Sequence, residues 1–193
     1  MIQIPCVIFA GGRSSRMGED KALLPFDGYA TLTQYQYAKA SKIFSHVYIS
    51  CKEKSKFSFD ANFIEDFKEP TLFAPTLAFA SIYATLNESS FFALSVDAPF
   101  VDEAVIQRLI EEDRPSYDAT IAKTAFGMQP LCGIYHRSLE KEFLEMLQKD
   151  SHKLGYLLKN SQTHFVFFEE EKKFLNLNNP QEYQQALQEI TKS

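Results

Sequence analysis

Short apolar runs alternate along the chain with stretches whose apolar residues recur every three or four positions, so strands and helices should follow one another in turn. Residues 2–9 predict a first strand, 46–50 a second, 63–66 a short third, and 91–96 a fourth that is apolar except at Ser95. Thr31-Leu32-Thr33-Gln34 has the S/T-x-x-E/Q form of a helix start, which predicts a helix running to about residue 43. A loop through Pro70 and Pro75 leads to a helix over 77–86. Val105, Ile106, Leu109 and Ile110 share one helical face, as do Leu139, Phe143, Met146 and Leu147, with strands predicted between them at 119–122 and 131–135. A strand over 165–168 precedes a last helix, started by Asn179 as cap and Pro180 at the first helical position. This alternation predicts an α/β fold with helices on the faces of a sheet. After Asp113 the alternation is less regular, so the sheet should be mixed rather than purely parallel. With no internal repeat, low-complexity stretch or long linker, the 193 residues read as one domain, 1–193.

Composition narrows the function classes. A net charge of −5 argues against nonspecific nucleic-acid binding, which needs a basic excess. Cys6, Cys51 and Cys132 are odd in number and widely spaced, which suggests neither a disulfide framework nor a zinc site, and fits reduced thiols in cytoplasm. Met1-Ile2-Gln3-Ile4-Pro5 lacks the basic region of a signal peptide, and no apolar run reaches membrane-spanning length. The sequence therefore predicts a cytoplasmic protein with no membrane partner.

Ala10-Gly11-Gly12-Arg13-Ser14-Ser15-Arg16-Met17-Gly18-Glu19-Asp20-Lys21 follows the first strand directly, and it holds three of the seven glycines and three cations. Glycine lets backbone N–H groups approach an anion closely, and cations offset its charge, so the loop suits a phosphate chain. It matches neither G-x-x-x-x-G-K-[ST] nor G-x-G-x-x-G, and an ordinary glycine-rich turn with solvated charges remains open. Lys21 places a point charge at the far end, suited to the β and γ groups of a triphosphate. Asp97 closes the fourth strand just before Pro99. Its carboxylate could hold a hard cation such as Mg²⁺, or only cap a turn, although Asp102 is the better helix cap. Asp66, at the end of the third strand, could support a nucleotide or simply serve a turn. Gln129-Pro130-Leu131 and Asn176-Leu177-Asn178-Asn179-Pro180 combine amides with tight turns, and Asn179 reads as a cap. Cys132 reads as a buried thiol, since no base is visible beside it. Strand ends carry the glycine loop, Ser50, Asp66 and Asp97. Ligands of open α/β sheets lie at such carboxyl ends.

Taken together these residues resemble the molybdenum cofactor guanylyltransferase family. Its opening pattern L-A-G-G-x-S-x-R-M-G-x-D-K-A is matched from Phe9 to Ala22 with Phe9 alone departing. Ile64-Glu65-Asp66, Val96-Asp97-Ala98-Pro99-Phe100, Gln129-Pro130-Leu131 and Asn176-Leu177-Asn178-Asn179-Pro180-Gln181-Glu182-Tyr183 follow in order. The resemblance implies a three-layer Rossmann-like nucleotidyltransferase fold with a predominantly parallel, mixed central sheet. It implies transfer of GMP from GTP to the phosphate of molybdenum-bound molybdopterin, with release of pyrophosphate. By position, Phe9, Ala10, Gly11 and Gly12 would hold guanine and ribose, and Arg16 and Lys21 the phosphates. Asp97 would bind Mg²⁺, Asp66 and Ser50 would support the nucleotide, and Gln129 and Asn178 would face the acceptor. An accessory GTP-binding protein and molybdoenzyme apoproteins are the implied partners. The chain departs from the family at Ser50, where Asn is usual, and at Ala74-Pro75-Thr76-Leu77-Ala78-Phe79-Ala80, where a glycine-bearing G-P-L-x-G loop is usual. Related readings are a CTP-dependent molybdopterin cytidylyltransferase, a sugar-nucleotide pyrophosphorylase, and a noncatalytic carrier of pterin or nucleotide. Gly11-Gly12 favours GTP, because cytidylyl relatives usually carry alanine first.

Overall fold

The computed structural model describes residues 1–11, 20–68 and 75–190. Strands β1 (Cys6–Phe9), β2 (Val47–Cys51), β3 (Asn62–Glu65), β4 (Ser90–Ser95), β5 (Ala119–Thr124), β6 (Gly127–His136) and β7 (Thr163–Phe167) form one sheet. Its order is β3-β2-β1-β4-β6-β5-β7. β6 runs antiparallel to both of its neighbours, β4 and β5, and the other pairs are parallel. The reversal of strand order falls beside β1, whose neighbours β2 and β4 are reached through connections of different length.

Helices α1 (Leu32–Ala40), α3 (Glu103–Glu112) and α6 (Pro180–Ile190) cover one face. Helices α2 (Pro75–Thr85), α4 (Glu140–Gln148) and α5 (Leu154–Asn160) cover the other. β1 shows why both faces must be covered: Cys6 and Ile8 pack into one core, and Val7 and Phe9 into the second. Side chains alternate along a strand, so a wholly apolar strand needs a partner layer on each side. In the second core the Phe79 ring stacks on Phe143 with centroids 4.3 Å apart and meets Tyr135 at 4.5 Å. The many phenylalanines supply the core area that tryptophan would otherwise provide.

Several boundaries differ from the sequence reading. The first strand starts at Cys6 rather than at residue 2, and Ile2 makes only an isolated bridge with Phe44. Pro5 has no N–H to donate, although its carbonyl still accepts from Phe92 N at 2.8 Å. The strand expected over 131–135 begins at Gly127, so Gln129 and Pro130 lie in β6 rather than in a turn. The β5–β6 register shifts between Ile121 and Lys123, and this irregularity accommodates the missing N–H of Pro130. Helix α5 was not foreseen, because its seven residues are too few for a clear periodic pattern. The cap of α1 forms as expected, with Thr31 Oγ1 accepting from Gln34 N at 3.0 Å.

All three cysteines are buried, and burial pushes the Cys51 and Cys132 thiols up to about 12 and raises Cys6 as well, from an ordinary 9.0. Unfolded thiols lose their protons above pH 9.0 while the folded ones keep them, so their contribution to stability is whole below 9.0 and lost as pH rises toward 12. Lys39, lowered by burial to about 8, acts in the opposite sense as one group against three. The expected result is a lower urea midpoint at about pH 10 than at about pH 8. In the double variant Cys51→Ala, Cys132→Ala that fall should shrink; an equal fall would assign it to other groups.

Candidate active site

The carboxyl ends of β1 to β4 bring the residues singled out from the sequence to one edge of the sheet. β6 reaches the same edge by its opposite end, because it runs antiparallel. Its Cys132 pairs with Leu94, so the preceding residues, including Gln129, extend beyond the end of β4. Gly12 and Arg16 lie outside the described residues, as does Ala74.

Toward β2 and β3 the site is held by polar contacts among Ala10, Ser50 and Asp66. Ala10 N donates to the Ser50 carbonyl at 2.9 Å, and the Ser50 hydroxyl donates to Asp66 Oδ1 at 3.2 Å. Ser50 is buried, so its hydroxyl orients Asp66. Gly11 lies against the same carboxylate: a Cβ on it would sit 3.6 Å from Asp66 Oδ2. Burial raises the Asp66 carboxyl above its ordinary value, opposed by the Ser50 hydrogen bond and by Lys52 and Lys56.

Lys56 was not anticipated, though it closes a visible Lys52-Glu53-Lys54-Ser55-Lys56 charge run. Its Nζ donates to the Ala10 carbonyl at 3.2 Å and to Asp20 Oδ2 at 2.9 Å. It thus ties the end of β1 to the turn that carries Lys21.

Toward β4 the centre is Asp97. Lys21 forms an ion pair with Asp97 Oδ2, and the Ser95 hydroxyl donates to Asp97 Oδ1. Helix capping falls to Asp102, which accepts from Val105 N at 3.0 Å. A cavity of about 290 Å³ opens beside Asp97, lined also by Gln129, Leu131, Leu154, Phe174 and Asn176. Leu177 N donates to the Asp97 carbonyl at 2.9 Å and so docks the Asn176-Leu177-Asn178 segment onto the turn. Asn176 rather than Asn178 lines the cavity; Asn178 is exposed, with its backbone N donating to Glu182 Oε2 at 2.6 Å. Asn179 caps α6 through Glu182 N at 2.9 Å.

The first turn of α2 carries a further chain of polar contacts. Buried Thr76 meets His152 Nδ1 at 2.6 Å, and His152 Nε2 meets Asp150 Oδ1 at 2.8 Å. Ala78 packs into the core with Phe79 and Ile82. Its methyl group is therefore directed into the core.

The profile of the MobA-like NTP transferase domain matches residues 6–164. A molybdenum cofactor guanylyltransferase of Campylobacter jejuni subsp. doylei is 42% identical over 188 residues, which is 97% of each chain. The chain belongs to the molybdenum cofactor guanylyltransferase family. A Helicobacter pylori protein of that name is 31% identical over 98% of this chain and 94% of its own. The fold of the family is shared by molybdopterin-guanine dinucleotide biosynthesis protein A of Archaeoglobus fulgidus, with a TM-score of 0.83 at 20% identity, covering 98% of this chain and 100% of that one. In this family member no helix among the described residues is long and apolar enough to cross a membrane.

Proposed function

We propose that the protein transfers GMP from GTP to the terminal phosphate of molybdenum-bound molybdopterin. A phosphate oxygen of the acceptor attacks the α-phosphorus, the bond to the β-phosphate breaks, and pyrophosphate leaves with that electron pair. The products are molybdopterin guanine dinucleotide and pyrophosphate. The observation that carries this reading is a cavity lined by Asp97 and Gln129, with Lys21 paired to that Asp97, in a chain that matches guanylyltransferases along nearly its whole length.

Two anions must meet, so the barrier is set by charge repulsion and by alignment. The acceptor phosphate is largely deprotonated near neutral pH, which removes the need for a strong general base. Ala10 and Gly11 would hold the nucleoside beside Asp66, and Lys21 would neutralise the β and γ groups as they leave. Arg16 would add a second cation. Gln129 would bind the acceptor from the cavity wall, with Asn176 beside it and Asn178 just beyond.

Among the described residues no cluster of three or more His, Cys, Asp and Glu side chains could hold a metal. Among the described residues the protein would offer the Asp97 carboxylate, with the Ser95 hydroxyl next to it. This all-oxygen set fits Mg²⁺, which commonly takes one or two carboxylates and fills its remaining positions with phosphates and water. When bound, Mg²⁺ supplies Lewis-acid neutralisation of phosphate charge. Lys21 would then turn from Asp97 to the phosphates.

Lys21→Met keeps the aliphatic stem and removes the cation. Its kcat/KM for GTP should fall roughly 10²-fold in a pyrophosphate-release assay. Unchanged turnover would remove Lys21 from the phosphate role.

A further inference from the structure

Beneath the Asp97 turn lies a polar residue for which the reaction has not yet supplied a use. Gln36, on α1, is fully buried. Its Nε2 donates to the carbonyls of Ser95 at 3.1 Å, Val96 at 3.4 Å and Ala98 at 3.0 Å. One turn further along the same face, Lys39 Nζ donates to the Pro99 carbonyl at 2.6 Å. Two side chains of one helix therefore grip four carbonyls that bracket Asp97, which itself points away into the cavity.

The same glutamine leaves its own carbonyl oxygen buried with no hydrogen-bond partner among the described residues. An unmet buried acceptor is destabilising, and an apolar side chain of equal length would avoid it. Core packing alone gives no reason to keep an amide there. The three backbone carbonyls give one: Ser95 and Ala98 accept in addition from Ala98 N at 3.3 Å and Val101 N at 3.4 Å, and among the described residues the Gln36 NH₂ alone reaches all three carbonyls together, which ties the two sides of the turn to α1.

We propose that Gln36 is a positioning residue for the phosphate-transfer site: with Lys39 it fixes the turn that aims the Asp97 carboxylate. The proposal rests on the reading of Asp97 as the cation ligand. Groups that orient a metal ligand from outside typically contribute 10- to 100-fold to metal affinity or activity.

The test uses the full chain, with Mn²⁺ as the spectroscopic stand-in for Mg²⁺. Gln36→Met keeps length and volume and removes the donor. Free Mn²⁺ is followed by electron paramagnetic resonance in the presence of GTP, GTP binding is measured in the presence of chelator, and kcat is measured separately. The expected result is Mn²⁺ affinity and kcat lowered about 10- to 100-fold, with metal-free GTP affinity unchanged. A lower melting temperature with wild-type Mn²⁺ affinity and kcat would assign Gln36 to packing alone and overturn the proposal. Should Gln36→Met fail to fold, Lys39→Met should shift Mn²⁺ affinity in the same direction by a smaller factor, and no shift would overturn the proposal equally. Asp97→Asn separates the two levels of the argument: if it leaves Mn²⁺ binding intact, the assignment of the cation to Asp97 fails, whatever Gln36 does.

Discussion

Replacing Asp97 with alanine is expected to lower GMP transfer by about 10³-fold while leaving the circular-dichroism spectrum unchanged. The size follows from what the carboxylate does. It lines the cavity, it follows the end of β4, and it pairs with Lys21. Without it the repulsion between acceptor phosphate and nucleotide has to be offset by the basic groups alone. The fold should tolerate the change because the turn is held by its backbone: Val96 N donates to the Phe9 carbonyl at 3.2 Å, and Leu177 N to the Asp97 carbonyl at 2.9 Å. The Gln36 hydrogen bonds add to these and likewise do not involve the carboxylate. Asp97→Asn, which keeps the volume, should lose nearly as much activity, because charge is the property removed. Turnover in either variant within a factor of about ten of wild type would exclude Asp97 from the reaction.

Gly133→Ala is expected to cost far more stability than Gly11→Ala. Gly133 sits in the middle of β6, between Ala93 of β4 and Ile121 of β5. A Cβ there would lie 2.3 Å from the Thr120 carbonyl oxygen and 2.9 Å from the Ile121 Cα, and also 2.8 Å from Ile121 Cδ1. Two of these atoms are backbone, so the strand itself must move. Overpacking of this kind costs up to about 3 kcal/mol, which in a domain of this size lowers the melting temperature by roughly 6–12 °C. Because Gln129 is on the same strand, activity should fall with stability. Gly11→Ala is the control: among the described residues its Cβ would meet nothing closer than 3.6 Å, so its melting temperature should stay close to wild type. Calorimetry of the two variants checks the contrast, and equal melting temperatures would contradict it.

The parallel half of the fold was legible because β1, β2 and β4 each carry a buried apolar run and the short β3 carries Phe63-Ile64, with small or charged residues after each. Ser50, Asp66 and Asp97 could be placed at one edge on that pattern alone. The antiparallel β6 was harder to delimit: Gln129 and Pro130 resemble turn residues, and they fall within the strand because β6 continues past the register shift to pair Met128 and Gly127 with Lys123 and Thr124 of β5. Direction mattered too, since Gln129 reaches the site from the start of its strand and not from the end. Within the amide-rich segment the sequence favoured Asn178 for the acceptor side, while docking of Leu177 on the Asp97 turn leaves Asn176 on the cavity wall. Gln36 and Lys56 were missed for another reason. Each acts on backbone carbonyls through a long side chain, and such contacts leave no local pattern in sequence. A polar residue on the apolar side of α1 was the one available hint at Gln36.

The central claim is the transfer of GMP, and the most direct measurement supplies the full chain with molybdenum-bound molybdopterin, Mg²⁺ and either GTP or CTP, each labelled at the α-phosphate. The predicted result is label in molybdopterin guanine dinucleotide, identified by mass, with pyrophosphate released in equal amount only when the acceptor is present and GTP well ahead of CTP. Labelled cytosine dinucleotide in excess, or no labelled dinucleotide from either nucleotide, would contradict it.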